Sequence, residues 1–277
     1  MDLTMPCPSL SLLFFISLHI HFLVPASGYF KPFQDCVPYR CGDQEINYPF
    51  RHNKRPNHCG YPGYELSCDG ESLTLSMESL EYRVIHMDRR AQILEVVRTD
   101  ITKDICLQTY VDTTLNCSLF NYAFTYLHSA LFYNCNSSFT LQPYHRFSCP
   151  ASGDGYFAPY VDFAYPLYEL CNFSVLVPIS PREVPRLPPP WEGGNDSATI
   201  SEILNDGFKI TWTANTSLCE NCTKSGGRCG YDCKRLEFNC FCRDGAYSST
   251  CNGTRVPGSF PSSMYALLSP STRFSIS

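Results

Sequence analysis

Two runs rich in β-branched residues, YRVIHM (82–87) and QILEVVR (92–98), flank the polar turn DRRA. Two such runs around a short polar turn predict a hairpin. SLTLS just upstream alternates at Leu73 and Leu75 and predicts a third strand. A different period follows in NDSATISEILNDG, where Ile200, Ile203 and Leu204 recur at i, i+3, i+4. Asp196 or Ser197 stands ready to cap, and Gly207 suits the left-handed position that ends a helix, so a short helix is expected over 197–206. Phe208, Ile210 and Trp212 then alternate as a strand. The aromatic stretch around Tyr122 to Phe132 has no clean period; strands are expected in this region, with a short helix there as the alternative.

The pattern at the two ends concerns location. Ser11 to Val24, SLLFFISLHIHFLV, is apolar but short, and His19 and His21 interrupt it. That length suits a secretory signal rather than a membrane span, and the small residues of VPASG place cleavage after Ala26 or Ser27. The segment before it carries no Lys or Arg, which is unusual for a signal. No second run of eighteen apolar residues follows, so no membrane anchor is expected. Residues 255–277, rich in Pro and Ser, are expected to form a disordered tail.

Cysteine usage agrees with an oxidising compartment. Cys7 leaves with the signal, and sixteen cysteines remain: Cys36, Cys41, Cys59, Cys68, Cys106, Cys117, Cys135, Cys149, Cys171, Cys219, Cys222, Cys229, Cys233, Cys240, Cys242 and Cys251. An even number permits complete pairing, which is the expectation, although spacing does not set the connectivity. Zinc is not expected, because no His follows Cys219-x2-Cys222 at ligand spacing and thiolates in such a compartment oxidise. Seven Asn-X-Ser/Thr sequons, at Asn116, Asn136, Asn172, Asn195, Asn215, Asn221 and Asn252, predict a glycosylated, secreted chain. The charged fraction is 17%, the aromatic fraction 14% and the net charge −5. Such a composition suits a mainly β, disulfide-rich extracellular protein and argues against a nucleic-acid partner.

The expected organisation is a signal peptide (1–27), a small β module (28–105), a cysteine- and aromatic-rich β region (106–177), a Pro-rich linker or loop (178–194), a second module (195–254) and the tail. Near the end, Cys240-Phe-Cys242, Gly245, Tyr247 and Cys251 have the rhythm of the second half of an EGF-like module, with Cys219, Cys222 and Cys229 as further partners. Cys233 is surplus to that set. The nine cysteines from Cys36 to Cys171 are also odd in number, so a bond from Cys233 to them is one way to balance both.

Several of these stretches together resemble the extracellular region of plant wall-associated receptor-like kinases of the leaf-rust-resistance-locus type. The N-terminal signature is Cys36…Cys41-Gly42, INYPF (46–50) and HCGYPGYELSC (58–68), similar to that family's galacturonan-binding module. GFKITW, CENCTKSGGRCGY and FNCFCRDG resemble its wall-associated C-terminal module. The resemblance implies binding of pectin or oligogalacturonide at the cell wall, with full-length receptor kinases as further partners. No Gly-rich phosphate loop, VAIK-type lysine, HRD or DFG occurs in this chain, so it is not expected to be an enzyme and needs no cofactor.

A polyuronate calls for cations to meet carboxylates and flat apolar surfaces to meet sugar rings. RHNKRPNH (51–58) offers Arg51, Lys54 and Arg55 with no acid, and Tyr48, Phe50, Tyr61 and Tyr64 flank it. These seven are the candidate ligand-binding residues; the bland alternative is a solvated loop over structural aromatics. Arg89 and Arg90 sit in the hairpin turn and rank lower. Residues 28–105 hold ten Lys/Arg against twelve Asp/Glu, so any attraction to pectin is local and salt-sensitive. Two other classes stay open. A protein- or peptide-binding module is compatible with an EGF-like end. A cell-wall glycosidase is the weakest, because no motif for a nucleophile or metal supports it.

Overall fold

The computed structural model describes residues 29–123, 126–136, 144–189 and 194–259. The expected signal peptide, residues 190–193 of the Pro-rich stretch and residues 260–277 lie outside them. Helix α1 (Lys31–Asp35) leads into β1 (Tyr39–Cys41) and β2 (Gln44–Ile46), which pair as a small hairpin. Strands β3 (Arg51–His52), β4 (Glu65–Asp69), β5 (Ser72–Met77), β6 (Leu80–Asp88) and β7 (Ile93–Arg98) form most of a seven-stranded sheet. The β6–β7 pair is the expected hairpin, with Val84 opposite Val96 and Met87 opposite Leu94. Helix α2 (Thr99–Lys103) follows, and β8 (Phe120–Tyr122) supplies the far edge of the same sheet.

The next strands, β9 (Leu127–Cys135), β10 (His145–Cys149) and β11 (Gly153–Ala158), join β12 (Cys171–Ile179) in a four-stranded antiparallel sheet, order β10-β11-β9-β12. The helical alternative for 122–132 does not form: β8 ends at Tyr122, β9 takes up residues from Leu127, and no described residue between them is helical. Ala130, Leu131, Phe132 and Tyr133 are all buried, because β9 is central and covered on both faces. A strand buried on both sides reads as a continuous apolar run, so the two-residue period is erased. Pro178, expected in the linker, is part of β12, an edge strand, where a proline is tolerated. Helix α3 (Tyr165–Leu170) covers one face of this sheet through Leu167, against Phe132 and Ala130. Helix α4 (Ser197–Asn205) covers the other through Ile200, Ile203 and Leu204, against Leu131, Phe147 and Val175. Burying each such side chain contributes about 1.5–3 kcal/mol.

Helix α4 forms where the apolar stripe predicts it. Asp196 occupies its N-cap position but makes no side-chain cap bond. Its carboxylate lies 3.3 Å from Nδ1 of the buried His145 on β10 instead. Gly207 ends the helix at φ +73°, and a Cβ there would meet the Val96 carbonyl oxygen at 2.3 Å. Only glycine fits a left-handed residue pressed against a strand in this way. The chain then enters β13 (Phe208–Trp212), which inserts between β7 and β8. The large sheet thus takes one strand from late in the chain. Tyr64 secures that return: its hydroxyl donates to the Leu119 carbonyl (2.7 Å) and accepts from the backbone N–H groups of Thr213 and Ala214 (both 3.2 Å).

Helix α5 (Ser217–Lys224) and the three-stranded sheet of β14 (Arg228–Asp232), β15 (Glu237–Cys242) and β16 (Gly245–Tyr247) complete the described fold. Residues 255–259, expected in the tail, pack onto it: Val256 N–H donates to the Ala246 carbonyl at 2.8 Å, and Ser259 is buried. No helix among the described residues is long and apolar enough to cross a membrane.

Seven disulfides staple these parts: Cys36–Cys59, Cys41–Cys68, Cys106–Cys149, Cys135–Cys171, Cys219–Cys229, Cys222–Cys240 and Cys242–Cys251. The last three interlace first with third, second with fourth and fifth with sixth, once Cys233 is set aside. Complete pairing does not hold. Cys117 and Cys233 are exposed free thiols, and the bond from Cys233 to the N-terminal set that would balance the counts is not formed. Cys233 stands in the turn between β14 and β15, directed to solvent, so the fold brings it no sulfur partner.

Candidate functional site

The proposed cationic loop, residues 51–58, lies at the seam between the N-terminal strands and the three-stranded C-terminal sheet. A cavity of about 90 Å³ opens there, lined from one side by Arg51, His52 and Arg55 and from the other by Thr223 and Arg228. Two disulfides, Cys36–Cys59 and Cys219–Cys229, fix its walls.

The structure divides the three predicted cations by role. Arg51 is spent on the fold. Its side chain is only 9% exposed, pairs with Glu65 at 2.8 Å and donates to the Arg55 carbonyl at 3.1 Å, which holds the loop in shape. Lys54 is exposed and makes no ion pair among the described residues. Arg55 is half-buried and donates to the Asp35 carbonyl at 2.8 Å, again with no carboxylate partner among the described residues. Between them His52 is buried beside Tyr39 and accepts the Lys54 N–H at 3.0 Å. Burial lowers its pKa, and the charges of Lys54 and Arg55 lower it further. Arg89, ranked lower from sequence, is engaged with Glu45.

The predicted stacking aromatics are corrected by burial. Phe50 and Tyr64 are 1% and 0% exposed, packed edge-to-face at 5.4 Å in the core of the large sheet. No ring face there is open to a sugar. Tyr48 is also buried, edge-on to Phe238 at 5.5 Å, and burial raises its phenol pKa. Tyr61 is half-buried and meets Tyr231 at 4.7 Å. Tyr48 and Tyr61 therefore join the N-terminal module to the C-terminal sheet. The aromatic runs near the cations because it fills the seam between modules, a role that local sequence does not distinguish from ligand stacking.

Two basic residues that sequence reading missed complete the site. Arg228, at the start of β14, lies with its guanidinium carbon 4.1 Å from the centre of the Phe33 ring and donates to the Phe33 carbonyl. Arg243, in the turn after β15, lies over Tyr29 at 5.6 Å. Burial lowers the pKa of Arg228, and the neighbouring charges of Arg243 and Arg55 lower it further. Arg228 thus feels the repulsion of Arg243 and Arg55, and none of the three has an acidic partner among the described residues. Nothing in the spacing of GGRCGY or FCRDG ties them to RHNKR; only the docking of the 29–35 segment across both modules does. Like charges gathered without counterions form a site that favours an anion.

The sulfurs of Cys240, Cys242 and Cys251 lie within 4.8 Å of one another, as do the ligand atoms of Cys36, His58 and Cys59. Every cysteine in both groups is in a disulfide, and disulfide sulfur is not a thiolate ligand.

Comparison with known proteins gives two family matches. Residues 36–98 match the wall-associated receptor kinase galacturonan-binding family, and residues 156–245 match the wall-associated receptor kinase C-terminal family. Among similar curated proteins of Arabidopsis thaliana, leaf rust 10 disease-resistance locus receptor-like protein kinase-like 1.3 is 31% identical over 82% of this chain and 31% of its own length. Kinase-like 1.2 is 28% identical over 86% of this chain and 37% of its own length, and kinase-like 1.4 is 28% identical over 85% and 33%. The chain spans about a third of the length of these relatives. No solved structure matches significantly.

Proposed function

From the premise that this chain belongs to the extracellular region of the wall-associated, leaf-rust-resistance-locus receptor-like kinases, we propose that it binds a polyuronate, the de-esterified galacturonan of pectin, along the seam between its two modules. The matched modules are receptor-type, not catalytic. The observation that carries the reading is the cluster of Arg55, Arg228 and Arg243, with Arg228 repelled by the other two and all three without carboxylate partners among the described residues, and Lys54 exposed beside it. A ligand with a carboxylate on every sugar supplies the missing counter-charges, and arginine meets a carboxylate through two parallel hydrogen bonds. Tyr29, 48% exposed at the same edge, offers the ring face that Phe50 and Tyr64 do not. Receptor kinases of the same family are further partners at the cell wall, where they meet the same polymer. The sequons of this chain carry glycans in that setting.

The test is a titration of the secreted protein with oligogalacturonide of graded methyl esterification, at low and high salt. Affinity is expected to fall as esters replace carboxylates and as salt rises, because exposed charges are screened beyond a Debye length. Equal affinity for the fully esterified oligomer overturns the reading.

One observation favours a second reading, a protein ligand. Phe163, Tyr165, Tyr168 and Phe173 are 73%, 70%, 48% and 47% exposed, all on or beside α3. Exposed aromatics gathered in one stretch are a feature of protein-binding faces. Capture of a protein ligand that added pectin does not change would favour it.

A further inference from the structure

The stretch VDFAYPLYEL (161–170) holds three aromatics and two acids, and no Lys or Arg stands anywhere between Arg146 and Arg182. Folding sorts these side chains. Ala164 and Leu167 are buried against Ala130 and Phe132, which sets the inward side of α3 and of the short turn before it. Residues three and four apart share a helix side, so Tyr165, Tyr168 and Glu169 stand together facing out. Phe163 and Tyr165 are 73% and 70% exposed, so both rings are reachable from solvent. Tyr168 is 48% exposed, and its ring is held edge-on to Phe132 at 4.9 Å. Phe173 stands apart: alternation along β12 turns it to the opposite sheet face, where it stacks on Tyr110 at 4.4 Å.

Negative charge gathers around these rings without counter-charge. Asp162 and Glu169 are exposed, and Glu169 shares a hydrogen bond with Tyr165 that raises the phenol pKa. Burial raises the Tyr168 phenol, and the charge of Asp112 raises it further, so a third carboxylate acts at this face. Asp112 is fixed there by the Leu176 N–H, which donates to it at 2.8 Å. None of the three acids makes an ion pair among the described residues. Arg146, opposite Tyr156 on the same sheet face, is held by both carboxylate oxygens of Asp154 at 2.8 and 2.9 Å. The face is thus the reverse of the seam, where arginines lack acids. The sequon residues Asn136 and Asn172 follow the bridged Cys135 and Cys171 at the C-terminal end of α3, which leaves the Phe163 end as the approach.

We propose that this face docks a cationic polypeptide segment, with Lys or Arg side chains over the open rings of Phe163 and Tyr165 and against the carboxylates of Asp162 and Glu169. A cation is attracted to the face of an aromatic ring, and an adjacent carboxylate strengthens its hold. An anionic polymer is repelled here, so the ligand of the seam does not compete for this face. The proposal rests on the protein-ligand reading of this stretch and names the chemistry of that ligand.

The test uses the full secreted chain and three synthetic peptides of equal length: octaarginine, an alternating Gly-Ser octapeptide and an alternating Leu-Ser octapeptide, each titrated by calorimetry at low salt. Octaarginine is expected to bind and the two neutral peptides not to. Phe163→Ala/Tyr165→Ala is expected to weaken octaarginine about tenfold, and Asp162→Asn/Glu169→Gln several-fold. Asp43→Asn/Glu71→Gln makes the same change of charge at exposed acids of the N-terminal module and is expected to stay within about twofold of wild type. Every substituted side chain is exposed, so the variants are expected to keep the fold. Equal weakening by the two charge variants, or no binding of millimolar octaarginine by a protein with its seven disulfides intact, overturns the proposal. Ring-dependent binding of the Leu-Ser peptide in place of octaarginine overturns it while the protein-ligand reading stands. Ring-dependent self-association in sedimentation puts a second copy on the face and overturns it too. Oligogalacturonide binding is expected to be unchanged in the ring variant, so the seam and this face are read separately.

Discussion

The seven-stranded sheet and the three-stranded C-terminal sheet are held together by different physics. The first encloses a core of eighteen buried residues, among them Leu66, Leu75, Tyr82, Leu94, Val96 and Ile210. The second packs Cys222, Cys229, Cys240 and Cys242 with Tyr48 and Tyr231, and three disulfides cross the span from Cys219 to Cys251. A module that short buries too little apolar surface to balance its chain entropy, so covalent closure of the unfolded chain takes the place of area. The difference extends to charge. In the large sheet Arg51 pairs with Glu65 and Arg98 with Asp100 (both 2.8 Å), although Arg83 on β6 stays exposed and unpaired among the described residues. At the seam with the small sheet, Arg55, Arg228 and Arg243 are left without carboxylates among the described residues, available to a ligand.

The largest expected effect breaks the area-based half. Phe50→Ala removes a ring packed against Tyr64 and Trp212, at 5.4 and 5.1 Å, and is expected to cost about 3–5 kcal/mol in denaturant unfolding. A cost below about 1 kcal/mol would mean that the core collapses around the gap and that close packing is not what holds this sheet. Next comes the covalent half. Cys222→Ser with Cys240→Ser is expected to cost about 3 kcal/mol, and amide exchange should rise in β14–β16 while β4–β7 stay protected. Uniform loss of protection across both sheets would show one cooperative unit instead of two.

These two halves were unequally legible in the sequence. The β6–β7 hairpin, the α4 stripe and the β13 alternation each carry their period locally, and each formed where expected. β9 was expected as a strand without a clean period, because burial on both faces removes alternation. The cysteine rhythm singled out the six C-terminal cysteines that pair, but neither their connectivity nor the two free thiols, since pairing depends on which turns the fold brings together. The candidate site was half legible. Lys54 and Arg55 stand out as a charge run, whereas Arg228 and Arg243 join them only through tertiary docking. Phe50 and Tyr64 looked like ligand aromatics because a core aromatic and a binding aromatic are the same letter.

Smaller effects sharpen the picture. Tyr64→Phe leaves the Ala214 N–H without its acceptor and is expected to cost about 1–3 kcal/mol, read as a lowered midpoint at constant slope. An unchanged midpoint would mean that water replaces the hydroxyl. His145 is buried and its pKa lies below the ordinary 6.5, chiefly by burial, with Asp196 pulling the other way. The unfolded chain therefore takes up that proton more readily than the folded one. Stability is full above about pH 6.5, where both states are neutral, and declines as pH falls from there toward the folded pKa. His52 and His58 shift the same way and add to the slope. Thermal midpoints from pH 8 to pH 5 measure it, and His145→Gln is expected to flatten part of the curve; a midpoint that rises on acidification would reverse the sign.

The seam cluster is tested most directly by binding of de-esterified oligogalacturonide at low salt to the wild-type chain, to Arg55→Gln/Arg228→Gln and to an Arg90→Gln control in the β6–β7 turn. Each exposed charge contact is worth about 0.2–1 kcal/mol, so the double variant is expected to bind several-fold to about tenfold more weakly and the control like wild type. Equal affinity in all three proteins, with the disulfides intact, would contradict a uronate site at the seam.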